Sequence, residues 1–129
     1  MISPRLLSAY RATEYRVGGI ALRIGRTSAR LDALLARLLT RNAVLITAYN
    51  PRSHRMSARG NERAMARLAS LLRNRTVLAA QSGQGAWQEQ QFLVVGAVAW
   101  AARLARRFGQ NAIVLLARGR PPVLHLIAA

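Results

Sequence analysis

Cysteine is absent from the 129 residues, which excludes disulfides, thiolate metal sites and cysteine nucleophiles. Lysine is absent too, so all 20 cationic side chains are arginine, and only Glu14, Asp32, Glu62 and Glu89 stand against them. Histidine is limited to His54 and His125. Six scattered acids and histidines, with no two histidines at helical spacing, make no ligand set, so neither a metal nor a cofactor is expected. The two tryptophans, three tyrosines and two phenylalanines do not alternate along a strand, as a base-stacking platform requires. There is no Gly-x-Ser-x-Gly elbow, no phosphate loop ending in Gly-Lys-Ser/Thr and no dinucleotide fingerprint. The longest apolar run, Phe92 to Ala102, falls short of the roughly 20 residues that cross a bilayer, so no membrane span is expected. Met1 to Ala12 contains Pro4, Arg5 and Arg11 and does not read as a signal peptide, which makes a cytoplasmic location the expectation.

Apolar side chains are abundant, at 52% of the chain, enough to form a core that offsets the entropy of ordering. The length suits one domain over residues 1–129, with an N-terminal helix at about 3–13 and an α+β core at about 15–127. Val17, Ile20, Leu22 and Ile24 around Gly18-Gly19 read as a hairpin or a glycine-broken strand. Ser28 caps a helix to about Arg41 with Leu31, Leu34, Leu35 and Leu38 as its buried stripe. Val44 to Thr47 is a strand stopped at Asn50-Pro51. Ser57 or Asn61 caps a helix to about Asn74 carrying Met65, Leu68, Leu71 and Leu72. A strand over Thr76 to Ala80, a turn at Ser82-Gly83-Gln84-Gly85, a strand over Gln91 to Gly96, a helix from Ala99 to Phe108 and strands at Ile113–Leu116 and Val123–Ile127 complete the chain. Strands that follow one another without a helix between them pair antiparallel. The expected fold is therefore α+β, a mixed and largely antiparallel sheet covered by about three to four helices.

The charge is the strongest compositional signal, a formal +16. It recurs on the outer faces of the helices: Arg30, Arg37 and Arg41, then Arg59, Arg63 and Arg67, then Arg103, Arg106 and Arg107. Like charges four residues apart each cost an isolated helix about 0.2 to 0.5 kcal/mol. Such ridges attract polyanions, although arginine stems also cover apolar surface on ordinary solvated faces. The first functional expectation is thus a non-enzymatic module binding RNA or DNA through phosphates, with little sequence preference. His54, between Arg52 and Arg55, is placed to assist phosphodiester cleavage but equally reads as a surface histidine, and His125 reads as structural.

Three runs carry a resemblance: Thr47-Ala48-Tyr49-Asn50-Pro51, then Trp87-Gln88-Glu89 leading into Phe92-Leu93-Val94, and Arg107-Phe108-Gly109-Gln110-Asn111-Ala112. Together they resemble an uncharacterised family of small bacterial domains of unknown function, over a span from about Tyr15 to the C-terminus. Ser57 and Asn61 match that family's serine and helix-entering asparagine, whereas Gln90-Gln91 and Gln84 depart from its pattern. The resemblance implies no activity. It singles out Tyr49, Asn50, Asn61, Glu89 and Gln110, polar residues at element boundaries where side chains can converge on a ligand or organise turns and caps. The second expectation is accordingly a small-molecule or nucleotide-binding protein, or an enzyme, using the corner of Asn50, Glu89 and Gln110. The third is a protein-interaction subunit such as a homodimer.

Overall fold

The computed structural model describes residues 2–84, 86–96 and 98–127. Ser3 opens helix α1 (Pro4–Ala12) by accepting the Leu6 amide, with Pro4 in the first turn where its missing N–H removes no helical bond. No residue of α1 is fully buried. Gly18 and Gly19, at φ +53° and +82°, turn strand β1 (Glu14–Val17) into β2 (Ile20–Leu22), a glycine pair suited to a right-twisted hairpin.

Ser28 caps α2 (Ala29–Arg37), which buries Leu31, Leu34 and Leu35. The helix stops short of the expected Arg41. Leu39 enters the left-handed region at φ 56°; its amide donates to the Ala36 carbonyl and the Thr40 amide to the Leu35 carbonyl, so Arg41 lies in the following turn. The same closure ends α4 (Val98–Arg107), where Gly109 has φ +66°, its amide donates to Arg106 and that of Gln110 to Ala105. Glycine adopts this conformation freely; leucine does so at a cost of about 1 to 2 kcal/mol, and Leu39 is 91% exposed, so packing does not compensate. Leu39→Gly is therefore expected to stabilise the domain by about 0.5 to 1 kcal/mol. Gly109→Ala is expected to destabilise it by at least about 1 kcal/mol, since its new Cβ would also sit 3.0 Å from that of Pro51. Urea unfolding of both variants checks the opposite signs.

Helix α3 (Ala58–Leu72) is capped by Ser57, which accepts the Gly60 amide, and buries Met65, Leu68 and Leu72. Strand β3 (Asn42–Ile46) lies inside a seven-stranded sheet, between β5 (Trp87–Val95) and β6 (Ala112–Ala117), in the order β2-β1-β4-β5-β3-β6-β7. Strand β4 (Val77–Gln84) pairs with β1 and β5, β7 (Val123–Leu126) forms one edge, and every pair is antiparallel. The turn expected over Ser82 to Gly85 is displaced. Ser82, Gly83 and Gln84 pair with Glu89, Gln88 and Trp87 in a hairpin longer than its polar composition suggested, and Gly85 lies outside the described residues.

Alternation along the strands divides the core into two layers. Leu45, Leu93 and Leu116 pack with the α2 leucines on one face, while Val44, Ile46, Val94 and Ile113 pack with α3 and α4 on the other. Near the ends of the strands the α2 face changes character: along β5 the inward positions run from Leu93 back to Gln91, Glu89 and Trp87, along β4 from Ala80 to Ser82, and past β3 from Leu45 to Thr47. The α2 leucines pack on the apolar half of this face, and α1 lies over the polar half.

Candidate functional site

Between α1 and the polar half of the sheet is a cavity of about 590 Å³, in the size range of small-molecule pockets. Arg5, Leu6, Ala9 and Tyr10 of α1 form its cover, while Tyr15, Leu45, Ser82, Trp87, Glu89 and Gln91 belong to the sheet side. Strand geometry accounts for the row at the base: Trp87, Glu89 and Gln91 are alternate residues of β5 and share one face. Gln91 is buried, donating from Nε2 to Ser82 Oγ at 3.0 Å.

Glu89 is held at one oxygen. Its Oε2 accepts from Asn50 Nδ2 and from Trp87 Nε1, both at 2.9 Å, whereas Oε1 accepts no hydrogen bond from a described residue and is not a buried atom. Burial pushes the carboxyl above the ordinary glutamate value, and the donors from Asn50 and Trp87 pull it partly back. A proton taken up by this side chain belongs on Oε1, because Oε2 already faces two N–H groups. Burial also raises the Tyr10 hydroxyl, with a Ser53 hydrogen bond opposing and the charge of Glu89 adding to the rise. Tyr15 is raised most, again through burial, with Tyr10 and Glu89 adding to it.

The chain after β3 is folded tightly to deliver Asn50. Thr47 donates its hydroxyl to the Gln90 carbonyl at 2.6 Å and accepts the Tyr49 amide at 3.0 Å. Asn50, Arg52 and Ser53 then all take positive φ, 43°, 55° and 63°, around a single 3-10 turn, Pro51–Ser53. Backbone strain of this kind survives only where surrounding structure over-determines it, and two anchors do so here. Asn61, buried in the first turns of α3, accepts the Asn50 amide at 2.9 Å and donates Nδ2 to Asn50 Oδ1 at 3.0 Å, an atom that also accepts the Met56 amide at 2.9 Å. On the other side the Arg52 amide donates to the Gly109 carbonyl at 2.7 Å, and Asn111 Nδ2 donates to Ser53 Oγ at 3.0 Å. Gln110 donates Nε2 to the carbonyls of Tyr49, at 3.0 Å, and Phe108, at 3.3 Å. Because both partners can only accept, the amide orientation is fixed and Oε1 carries no proton.

Four of the five residues singled out in the sequence, Tyr49, Asn50, Glu89 and Gln110, therefore line one cavity, and Asn61 stands behind Asn50 as its support. Ser57 rather than Asn61 caps α3. Sequence reasoning missed Tyr10, Tyr15, Ser53, Trp87 and Gln91. The polar inward positions of β5 just before Leu93 were the available signal for two of them, whereas Tyr10 reaches the site through the placement of α1. His54 is exposed in the loop after the 3-10 turn and is not part of the cavity wall.

The nine ridge arginines are all exposed, and the ion pairs among the described residues, Glu14 with Arg16 at 2.7 Å and with Arg23 at 4.0 Å, involve none of them. They fall on two sides of the sheet. Arg30 and Arg37 ride on α2, with Arg41 in the turn after it; Arg59, Arg63 and Arg67 ride on α3 and Arg103, Arg106 and Arg107 on α4, across the sheet. Arg67 lies over the Phe108 ring at 6.0 Å, linking α3 to the end of α4. The sheet thus lies between the arginines of α2 and those of α3 and α4.

These features define an α+β domain whose antiparallel sheet has one face divided into a packed apolar half and a hollow polar half. The chain belongs to the DUF3293 family, described as proteins of unknown function, whose model matches residues 46–113, just over half of the chain. That span is narrower than the expected one from Tyr15 onward, but it includes Asn50, Asn61, Glu89 and Gln110. No curated protein and no solved structure matches the chain.

Proposed function

We propose that the domain binds a small molecule in the cavity beneath α1 and recognises it through Glu89. The observation that carries this reading is the asymmetric carboxyl: one oxygen is fully engaged by Asn50 and Trp87, and the other is open on a cavity wall. Oε1 is accessible in the cavity rather than buried, so a ligand that enters meets a free acceptor there. The strained turn supports the same reading, because its hydrogen bonds converge on placing Asn50 beside Glu89. Polyanion binding by the arginine ridges takes second place, since the sheet separates α2 from α3 and α4; the net charge of +16 bears instead on what charge the ligand carries.

Thermal shift against a library of small polar metabolites tests the proposal, with Glu89→Gln run alongside. A compound that selectively binds the folded state at a hundred times its Kd adds about 2.7 kcal/mol of stability. At least one compound is expected to raise the melting temperature of the wild type and not that of the variant. A library with no such compound, or with equal shifts in both proteins, contradicts the reading.

A further inference from the structure

Resting on that reading, we infer that the ligand is a planar amino-substituted heterocycle bearing an anionic group, as in a nucleotide with an exocyclic amine. The first argument is hydrogen-bond polarity. Within the cavity both N–H groups of Gln110 Nε2 are engaged by backbone carbonyls, and one N–H of Asn50 Nδ2 is engaged by Glu89. Beside the side-chain donors of Arg5, Tyr15 and Tyr49 in the lining, Oε1 of Glu89 and Oε1 of Gln110 are two acceptors that no described residue donates to. A ligand that completes them must donate, and two separated acceptors favour a group with more than one N–H. An analogue with a keto oxygen in place of the amine sets acceptor against acceptor at that position and keeps only its single ring N–H as a donor there.

The second argument is shape and surface. Tyr10 and Trp87 line the cavity, with the buried Tyr15 behind them, and aromatic side chains in the wall suit a flat π-system. The third is charge. Arg5 lines the same cavity, and the Arg55 guanidinium lies 4.9 Å from the centre of the Trp87 ring, in a chain of net charge +16. That field opposes an organic cation and attracts an anion. A neutral donor-bearing ring beside Glu89, with a phosphate toward the arginines, satisfies all three constraints. The same chemistry arises from a free mononucleotide and from the terminal nucleotide of a single strand.

Calorimetric titration of the full chain with matched pairs provides the test: cytidine against uridine monophosphate, adenosine against inosine monophosphate, each also as the nucleoside, plus a short oligocytidine. The amino-bearing member of a pair is expected to bind at least about tenfold more tightly. The monophosphates are expected to exceed their nucleosides by a margin that shrinks as salt rises and in the double variant Arg5→Ala, Arg55→Ala. Glu89→Gln is the decisive variant. Asn50 and Trp87 still require an acceptor, so the glutamine carbonyl must take the place of Oε2 and its NH2 must face the cavity, which inverts the preference within each pair. Circular dichroism confirms that this variant folds. Mononucleotide binding alone assigns the free nucleotide as source, and tighter oligocytidine binding with the same dependence on Glu89 assigns the strand. No binding by any member, no discrimination within pairs, or discrimination unchanged in Glu89→Gln overturns the inference. If the nucleotides fail while another compound stabilises the wild type and not Glu89→Gln, only the ligand class falls; if no compound does so, the cavity reading falls with it.

Discussion

Asn50→Ala is expected to lower stability by about 3 to 5 kcal/mol, which for a domain of this size lowers the melting temperature by about 10 to 20 °C. The substitution removes three hydrogen bonds together: Nδ2 to Glu89, and Oδ1 to the Met56 amide and to Asn61 Nδ2. Asn61 is 5% exposed, so its amide is left in the interior without that acceptor, at about 1 to 3 kcal/mol. The Met56 amide is nearer to solvent and costs less. Alanine must also hold φ 43° without the local hydrogen bonding that lets asparagine tolerate the left-handed region. Asn50→Gly separates these contributions. It loses the same side-chain bonds but takes the backbone without strain, so it is expected to be about 1 kcal/mol more stable than Asn50→Ala. Urea denaturation of the three proteins checks the order, and a loss below about 1 kcal/mol in the alanine variant would show that the turn does not depend on this side chain.

Glu89→Gln is expected to gain stability relative to the wild type as pH rises. The folded-state carboxyl titrates above the ordinary value of 4.5, chiefly because it is buried. Over the interval between the two pKa values the folded chain keeps a proton that the unfolded chain has already released, so stability declines with rising pH across that interval and stays lower above it. Glutamine has no charge to bury and can still accept from Asn50 and Trp87. The difference in melting temperature, variant minus wild type, is therefore expected to be smallest below the ordinary glutamate pKa and largest above the raised one. Because Trp87 Nε1 donates to Glu89 Oε2, its indole NMR resonance should titrate with the same raised pKa. A titration at or below the ordinary glutamate value would contradict the burial assigned to this group.

Much of the fold was legible because single residues decide it. Ser28 and Ser57 accept first-turn amides, Gly18-Gly19 admit a hairpin turn, and Gly109 terminates α4. Leu39 hid the end of α2, since its sequence signal is that of a helix former, and only its backbone shows the left-handed turn. Ser82-Gly83-Gln84 read as a turn because small polar residues are common in both turns and hollow strand faces. What distinguishes the two is Glu89, Gln88 and Trp87 on the partner strand. The polar corner was legible as a set of residues but not as a cavity. Its roof comes from α1, whose Leu6 and Tyr10 line the cavity only because of where that helix packs. The arginine ridges were legible helix by helix, whereas their division between two sides depends on which face of the sheet each helix covers.

The two tryptophans allow a direct measurement of whether the cavity beneath α1 is the binding site. Trp87 bonds to Glu89 within it, while Trp100 lies on α4, on the opposite side of the sheet, with Arg75 stacked 3.7 Å from its ring centre. Following both indole N–H resonances while a mixture of small amino-heterocycles is added should show the Trp87 signal moving and saturating with Trp100 fixed, and no movement of either in Glu89→Gln. A Trp87 signal that stays in place in the wild type, or that moves together with Trp100, would contradict the assignment of this cavity as the binding site.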